Sequence, residues 1–368
     1  MTQIELGNAI DFYGKWPTPI AIISDGPYGL SSYPGDLKEP QRLADWYEPH
    51  IEKWSKYSTP QTTLWFWNSE LGWAEVHGVL ARYGWEYRNC HIWDKGMAHV
   101  AGNSNGSTLR KFPVTTEVCV QYTKRAIFPS PTGPRSMKEW LRSEWLRSGL
   151  PLNKTNEACG VKNAATRKYF TQCHLWYYPP PEAFEMLASY ANRHGRAEGR
   201  PYFSADGKRR LSREEWGGMR AKFNFKNGIT NVWQVPAVRN GERVKARGGY
   251  VHMNQKPLIL MVRCIEASTD LGDVVWEPFG GLCSATVAAG MTRRRGFAAE
   301  INPKFFAAAA RRLADADGQK TEKLFPERES DSEFGFGSES ERAATTRQDT
   351  HPLLLETRAP SKSHHRCT

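Results

Sequence analysis

The sequence predicts an α/β protein: a mostly parallel sheet whose strands alternate with helices, interrupted in the middle by an inserted helical region. Three observations lead there. Two apolar runs of strand length end abruptly in turn residues, Pro19 to Ser24 before Asp25-Gly26-Pro27-Tyr28, and Asp273 to Trp276 before Glu277-Pro278-Phe279-Gly280-Gly281. Segments of helical period separate such runs. The alternation stops at 128–136, a stretch with three prolines, and returns near residue 257.

Taken in order, Ile4 to Leu6 reads as a strand, and Pro19 to Ser24 as a buried parallel strand, apolar on both faces. Residues 37–57 and 70–84 have the period of helices, whereas 62–67 and 118–122, rich in β-branched and aromatic residues, read as strands. After the prolines, 137–148 is amphipathic, and 153–159 and 164–170 are short helices joined at Gly160-Val161. Two readings of that pair stay open. It is a helix-turn-helix element with Arg167 and Lys168 turned to nucleic acid, or a helical hairpin packed on the sheet with both cations solvated. Residues 196–250 are basic and aromatic, with Lys208-Arg209-Arg210 among Tyr202, Phe203 and Trp216, a composition that suits a nucleic-acid surface. Regular structure returns with a helix at 257–268, a strand at 273–276, a helix at 283–290, a strand at 296–300 and an Ala-rich helix at 303–314. The expected organisation is 1–128 and 229–314 as two halves of one domain, 129–228 as the insertion, and 315–368, with almost no apolar periodicity, as a disordered tail.

A chain of 368 residues with 39% hydrophobic content buries a sizeable core without staples. Fifty Lys and Arg against thirty-nine Asp and Glu leave a net charge of +11, which favours a polyanionic partner through phosphate neutralisation. The seven cysteines are scattered, odd in number and never spaced Cys-x-x-Cys, so neither a zinc site nor a disulfide framework is expected. No apolar run approaches the roughly 20 residues of a membrane span, and the start is not basic-then-apolar, so a soluble cytoplasmic protein is expected.

The two turns carry the chemistry. An exocyclic amine on a nucleobase is a poor nucleophile because its lone pair is delocalised into the ring, and acceptors placed on its hydrogens localise that pair. Asp25 offers a carboxylate, Gly26 a backbone carbonyl and Tyr28 a flat surface for an extruded base. The second turn, a strand ending in glycines before a helix, is where adenosyl cofactors sit. One strand later, Glu300 stands roughly 20 residues beyond the glycines, the place of a carboxylate that holds ribose hydroxyls. The phosphate-cradling Gly-x-Gly-x-x-Gly is missing, which favours a cofactor without pyrophosphate, S-adenosylmethionine.

These residues resemble the DNA amino-methyltransferases that act on adenine N6 or cytosine N4, in the permuted class where the catalytic tetrapeptide comes first and the cofactor motif last. Asp25-Gly26-Pro27-Tyr28 is similar to that family's Asp-Pro-Pro-Tyr, and Glu277-Pro278-Phe279-Gly280-Gly281 to its Asp-Pro-Phe-x-Gly. His252-Met253-Asn254-Gln255-Lys256-Pro257 resembles His-Pro-Thr-Gln-Lys-Pro, and Glu300-Ile301-Asn302-Pro303 the ribose-binding strand end.

The resemblance implies a Rossmann-like methyltransferase sheet with an inserted target-recognition region. Asp25, Gly26, Pro27 and Tyr28 are then catalytic. Gly7, Asn8, Asn254, Gln255, Lys256, Glu277, Pro278, Phe279, Gly280, Gly281, Glu300 and Asn302 are set on the cofactor, and Arg167, Lys168, Lys208, Arg209 and Arg210 on DNA. The partners implied are double-stranded DNA and a cognate restriction endonuclease, in a bacterial or phage-encoded enzyme. An acidic first residue leans toward adenine, with cytosine N4 as the alternative. A DNA-binding protein without activity, or an RNA or protein methyltransferase, are the further alternatives. The stretch from Trp93 to Gly106 reads as a loop near the catalytic turn, in reach of the displaced strand. Three positions depart from the pattern: Gly26 for proline, Asn8 for aspartate and Cys283 for the last glycine of the cofactor motif.

Overall fold

The computed structural model describes residues 2–30, 39–100, 109–130, 133–197, 199–239, 242–246, 249–250 and 254–318. Among them, eight strands form one sheet: β1 (Thr2–Leu6), β2 (Ala21–Ser24), β3 (Thr63–Asn68), β4 (Trp85–Asp94), β5 (Thr116–Lys124), β8 (Val232–Gln234), β11 (Val274–Glu277) and β12 (Arg295–Glu300). Their order is β1-β12-β11-β2-β3-β5-β4-β8. β5 alone runs against its neighbours, and every other pairing is parallel, so the sheet is mostly parallel as expected. Two short antiparallel pairs stand outside it, β6 (Ile127–Phe128) with β7 (Arg135–Ser136) and β9 (Lys245–Ala246) with β10 (Gly249–Tyr250).

Strand periodicity sorts the central side chains onto two faces. Ile22, Leu64 and Phe66 pack with Tyr47, Ile51 and Trp54 of α1 (Leu43–Tyr57) and with Val76 and Leu80 of α2 (Glu70–Arg82). Their neighbours Ala21, Ile23, Trp65 and Trp67 meet Leu260, Cys264, Ala285 and Ala288 on the other face, from the helices Leu258–Ser268 and Ser284–Met291. The insertion has its own apolar cluster, with Trp140, Trp145, Phe184, Leu187, Phe203 and Trp216 buried together. They come from α3 (Met137–Arg147), α6 (Pro181–His194), α7 (Arg213–Gly217) and the chain between. The two short helices between α3 and α6 are α4 (Lys154–Ala158) and α5 (Ala164–Tyr169). The remaining helices are α8 (Leu258–Ser268), α9 (Ser284–Met291) and α10 (Pro303–Gly318).

Three boundaries differ from expectation. α1 starts at Leu43 because Pro40, without an amide hydrogen, opens a 3-10 turn over Pro40–Arg42, and residues 37–38 lie outside the described ones. Trp93 and Asp94 are strand rather than loop. They close β4, whose middle is polar and exposed, and which is a strand because β5 and β8 pair with its two edges. Trp93 is buried and its indole donates to the Val235 carbonyl at 2.6 Å. α10 continues to Gly318 rather than 314. Gly102 to Gly106, His252-Met253 and residues 319–368 of the expected tail lie outside the described residues.

Candidate active site

A parallel sheet gathers the carboxyl ends of its strands along one edge, and ligands collect there. Here Asp25 to Tyr28 follow β2, Pro278 to Gly281 follow β11 and Glu300 ends β12. All three border one cavity of about 900 Å³, as do Gly7, Asn8, Asn254, Gln255, Lys256, Glu277 and Asn302. Every residue the sequence set on the catalytic step or the cofactor therefore lines the same hollow.

At the Asp25 end of the cavity lies a charge cluster that the sequence did not reveal. The Lys256 ammonium, almost wholly buried, sits 2.7 and 2.9 Å from the two oxygens of Asp25 and 3.3 Å from Glu117 Oε2. The Tyr28 hydroxyl bonds Asp25 Oδ1 at 3.1 Å and Glu117 Oε2 at 3.0 Å, and Lys95 Nζ reaches Glu117 Oε1 at 2.5 Å. Two carboxylates thus share one buried cation. Burial alone would push the Lys256 pKa down, but Asp25 and Glu117 outweigh it and raise it above the ordinary lysine value. Burial would raise Glu117 in turn, yet Lys256 and Lys95 hold it below the usual carboxylate range. The Tyr28 phenol is pushed well up, by burial first and then by the two carboxylates. Lys256, expected at the cofactor, has its charge on Asp25. The one visible trace of Glu117 in the sequence is a carboxylate opening the apolar run Val118-Cys119-Val120.

The turn after β2 is held by its carbonyls. The Pro27 carbonyl accepts from Asn68 Nδ2 at 3.0 Å and from the Tyr47 hydroxyl at 3.2 Å. No donor is assigned to the Gly26 carbonyl among the described residues. Glycine at 26 is a requirement of space: an added Cβ would lie 2.5 Å from the Tyr47 hydroxyl and 2.7 Å from the Phe279 ring. Phe279 belongs to the turn after β11, so this close approach locks the two turns together. Gly26→Ala is accordingly expected to cost about 1–3 kcal/mol through overpacking. Urea unfolding measures it, and an unchanged midpoint would show that Phe279 moves aside freely.

At the other end, Glu300 Oε2 accepts from the Gly281 amide and Oε1 from the Asn302 amide, both at 2.7 Å. Burial raises its pKa against the pull of those amides. Glu277 is turned beneath α9, accepting from the amides of Ala285 (3.0 Å) and Thr286 (2.7 Å) and from the Thr286 hydroxyl (2.6 Å). It caps the helix, and burial lifts its pKa to about 7. Asn8 accepts from the Ile10 amide, and Gln255 donates to the Glu242 carbonyl at 2.8 Å. Cys283 has a left-handed backbone, with φ 55°, and buries its thiol with Val287, Ala298 and Leu313, away from the cavity.

The cations set on DNA lie on the insertion, outside this cavity. Lys168 rests 5.8 Å from the centre of the Tyr177 ring, and Arg167 shares its short helix α5. Arg209 pairs with Glu215 and Arg210 with Glu185, while Lys208 donates its backbone amide to Asp206. Among the described residues no cluster of metal-ligating side chains occurs, and no helix is long and apolar enough to cross a membrane.

Residues 20–311 match the N6/N4 methyltransferase family model, described as DNA methylase. The chain belongs to the N6/N4 DNA methylase family. One relative of this methylase is the DNA adenine methyltransferase YhdJ of Escherichia coli (strain K12), 32% identical over 102 residues. That match spans 28% of the chain and about a third of the relative's length (33%). Similar solved structures include the M1.HpyAVI–SAM complex, at 16% identity and TM-score 0.47, covering 85% of this methylase and 99% of that chain. The cytosine-N4-specific PvuII DNA methyltransferase aligns at 13% identity and TM-score 0.45, over 86% and 91%.

Proposed function

We propose that this methylase transfers a methyl group from S-adenosylmethionine to adenine N6 at specific sites in double-stranded DNA. The observation that carries the reading is the convergence on one cavity of a carboxylate turn at Asp25 and a glycine turn backed by Glu300. The cavity's chemistry fits an adenosyl cofactor: Glu300 is a buried carboxylate at its wall, and the backbone of Gly280 and Gly281 offers no side chain against a ligand. When bound, S-adenosylmethionine supplies an electrophilic methyl group. The remaining tasks fall to the chain. Asp25 accepts one amine hydrogen and the Gly26 carbonyl the other, which localises the lone pair on nitrogen. Tyr28 stacks on the extruded base. Lys256, bonded to both carboxylate oxygens, holds Asp25 in place. The insertion 129–228, with its own apolar cluster, serves target recognition.

Adenine is favoured by the acidic first residue of the tetrapeptide and by the adenine-specific name of YhdJ. The test is incubation with methyl-labelled S-adenosylmethionine and duplex DNA, digestion to nucleosides and mass spectrometry of the labelled base. N6-methyladenine is expected. Labelled N4-methylcytosine would keep the site and overturn the base, and label on RNA or protein alone would overturn the substrate.

Glu300→Ala is expected to weaken cofactor affinity about tenfold or more, since a ribose diol loses its charged acceptor. Calorimetric titration with S-adenosylmethionine measures this, and an unchanged affinity would remove Glu300 from the cofactor site.

A further inference from the structure

Two described residues between β4 and β5, Met97 and Phe112, put large apolar side chains in solvent. Phe112 is 95% exposed and Met97 73%, the two highest values among the described large hydrophobic residues. Isolated exposed apolar groups need no explanation, but a fully exposed phenylalanine on a loop whose base is bonded to the Asp25–Glu117–Lys256 cluster does. Both limbs are fastened at their base. The Lys95 amide donates to the Thr115 carbonyl at 2.9 Å, and the Asp94 carboxylate accepts from the Gly96 amide at 2.9 Å and the Thr115 hydroxyl at 3.3 Å. Lys95 itself reaches Glu117, which bonds the Tyr28 hydroxyl. Phe112 stands three residues before Thr115, within roughly 10 Å along an extended chain.

Its neighbours say what it faces. Arg110 and Lys111 precede it, both exposed and, among the described residues, without a carboxylate partner. Pro113 follows and fixes the backbone. An apolar ring preceded by two cations, on a loop fastened at its base to the Asp25–Glu117–Lys256 cluster, has the chemistry of a wedge between stacked bases with phosphates beside it.

Resting on the reading that duplex DNA is the substrate, we propose that Phe112 enters the base stack and fills the gap left by the extruded base, while Arg110 and Lys111 contact the adjoining phosphates. The wedge offsets the unstacking that extrusion requires, and its loss is felt only where the target base must be unpaired.

The experiment compares wild type, Phe112→Ala and Phe112→Trp, as full chains, on two synthetic duplexes containing the site mapped from labelled genomic DNA. In one the target base is paired, and in the other an abasic position lies opposite it. Phe112→Ala is expected to methylate the paired duplex about tenfold or more slowly than wild type and the abasic duplex within about threefold of it. Phe112→Trp should retain most of the paired rate. Equal losses on both duplexes would overturn the wedge in favour of a plain binding contact. An unchanged rate together with loss of a dimer on a sizing column would overturn it in favour of an interface between copies. Failure of wild type to methylate any duplex DNA, with cofactor binding intact, would instead sink the substrate reading on which the wedge stands.

Discussion

Asp25→Ala should lower methyl transfer by about a thousandfold or more while leaving S-adenosylmethionine affinity nearly unchanged. Removing one group aimed at the reacting atoms typically costs two to three orders of magnitude, and here the lost group is the charged acceptor that localises the amine lone pair. The cofactor turn is supported elsewhere, by Glu300 on Gly281 and by Glu277 on α9, and neither touches Asp25. The variant also keeps a compensated cluster, because Lys256 still has Glu117 at 3.3 Å. Single-turnover methylation of duplex DNA, paired with cofactor titration, separates the two effects. Equal loss of rate and affinity would mean that Asp25 is a structural residue of the turn.

Lys256→Met should destabilise the fold by about 3 kcal/mol near pH 8, the usual result of removing one partner from a buried ion pair. Asp25 and Glu117 would then face each other across the Tyr28 hydroxyl, with Lys95 on Glu117 as the one cation left, among the described residues, in contact with the pair. The pH dependence has a definite sign. In the wild type, Glu117 titrates below its unfolded value, so its contribution is present above that value and is lost as pH falls through the folded pKa. In the variant, only Lys95 opposes the burial of Glu117, so the folded pKa of Glu117 rises, and stability is lost as pH rises and returns as pH falls from 8 toward 5. Urea midpoints at pH 5, 6.5 and 8 decide the matter. A deficit that is equal at every pH would show that Lys256 contributes packing and not charge.

Much of this was legible in the residues. The central strands β2, β3 and β11 were visible as apolar runs, because burial on both faces removes the polar half of the alternation. The catalytic and cofactor turns were visible because each needs glycine, proline and a carboxylate at a strand end. β4 was not visible. Its centre, Tyr87 to Asn89, is exposed, and what makes it a strand is hydrogen bonding to β5 and β8 rather than any pattern of its own.

By itself, then, the sequence determined the α/β alternation, the order of the motifs and the identity of Asp25, Gly26, Tyr28 and Glu300 as candidates. Only the tertiary structure decided which charges meet. Glu117 stands at the start of its strand, and it faces Asp25 only because β5 runs antiparallel and brings its first residues to the edge where the parallel strands end. Lys256 lies 231 residues from Asp25 along the chain. Local spacing records turns and periods, but the partner of a buried charge depends on strand direction and helix docking, which no stretch of neighbouring residues encodes.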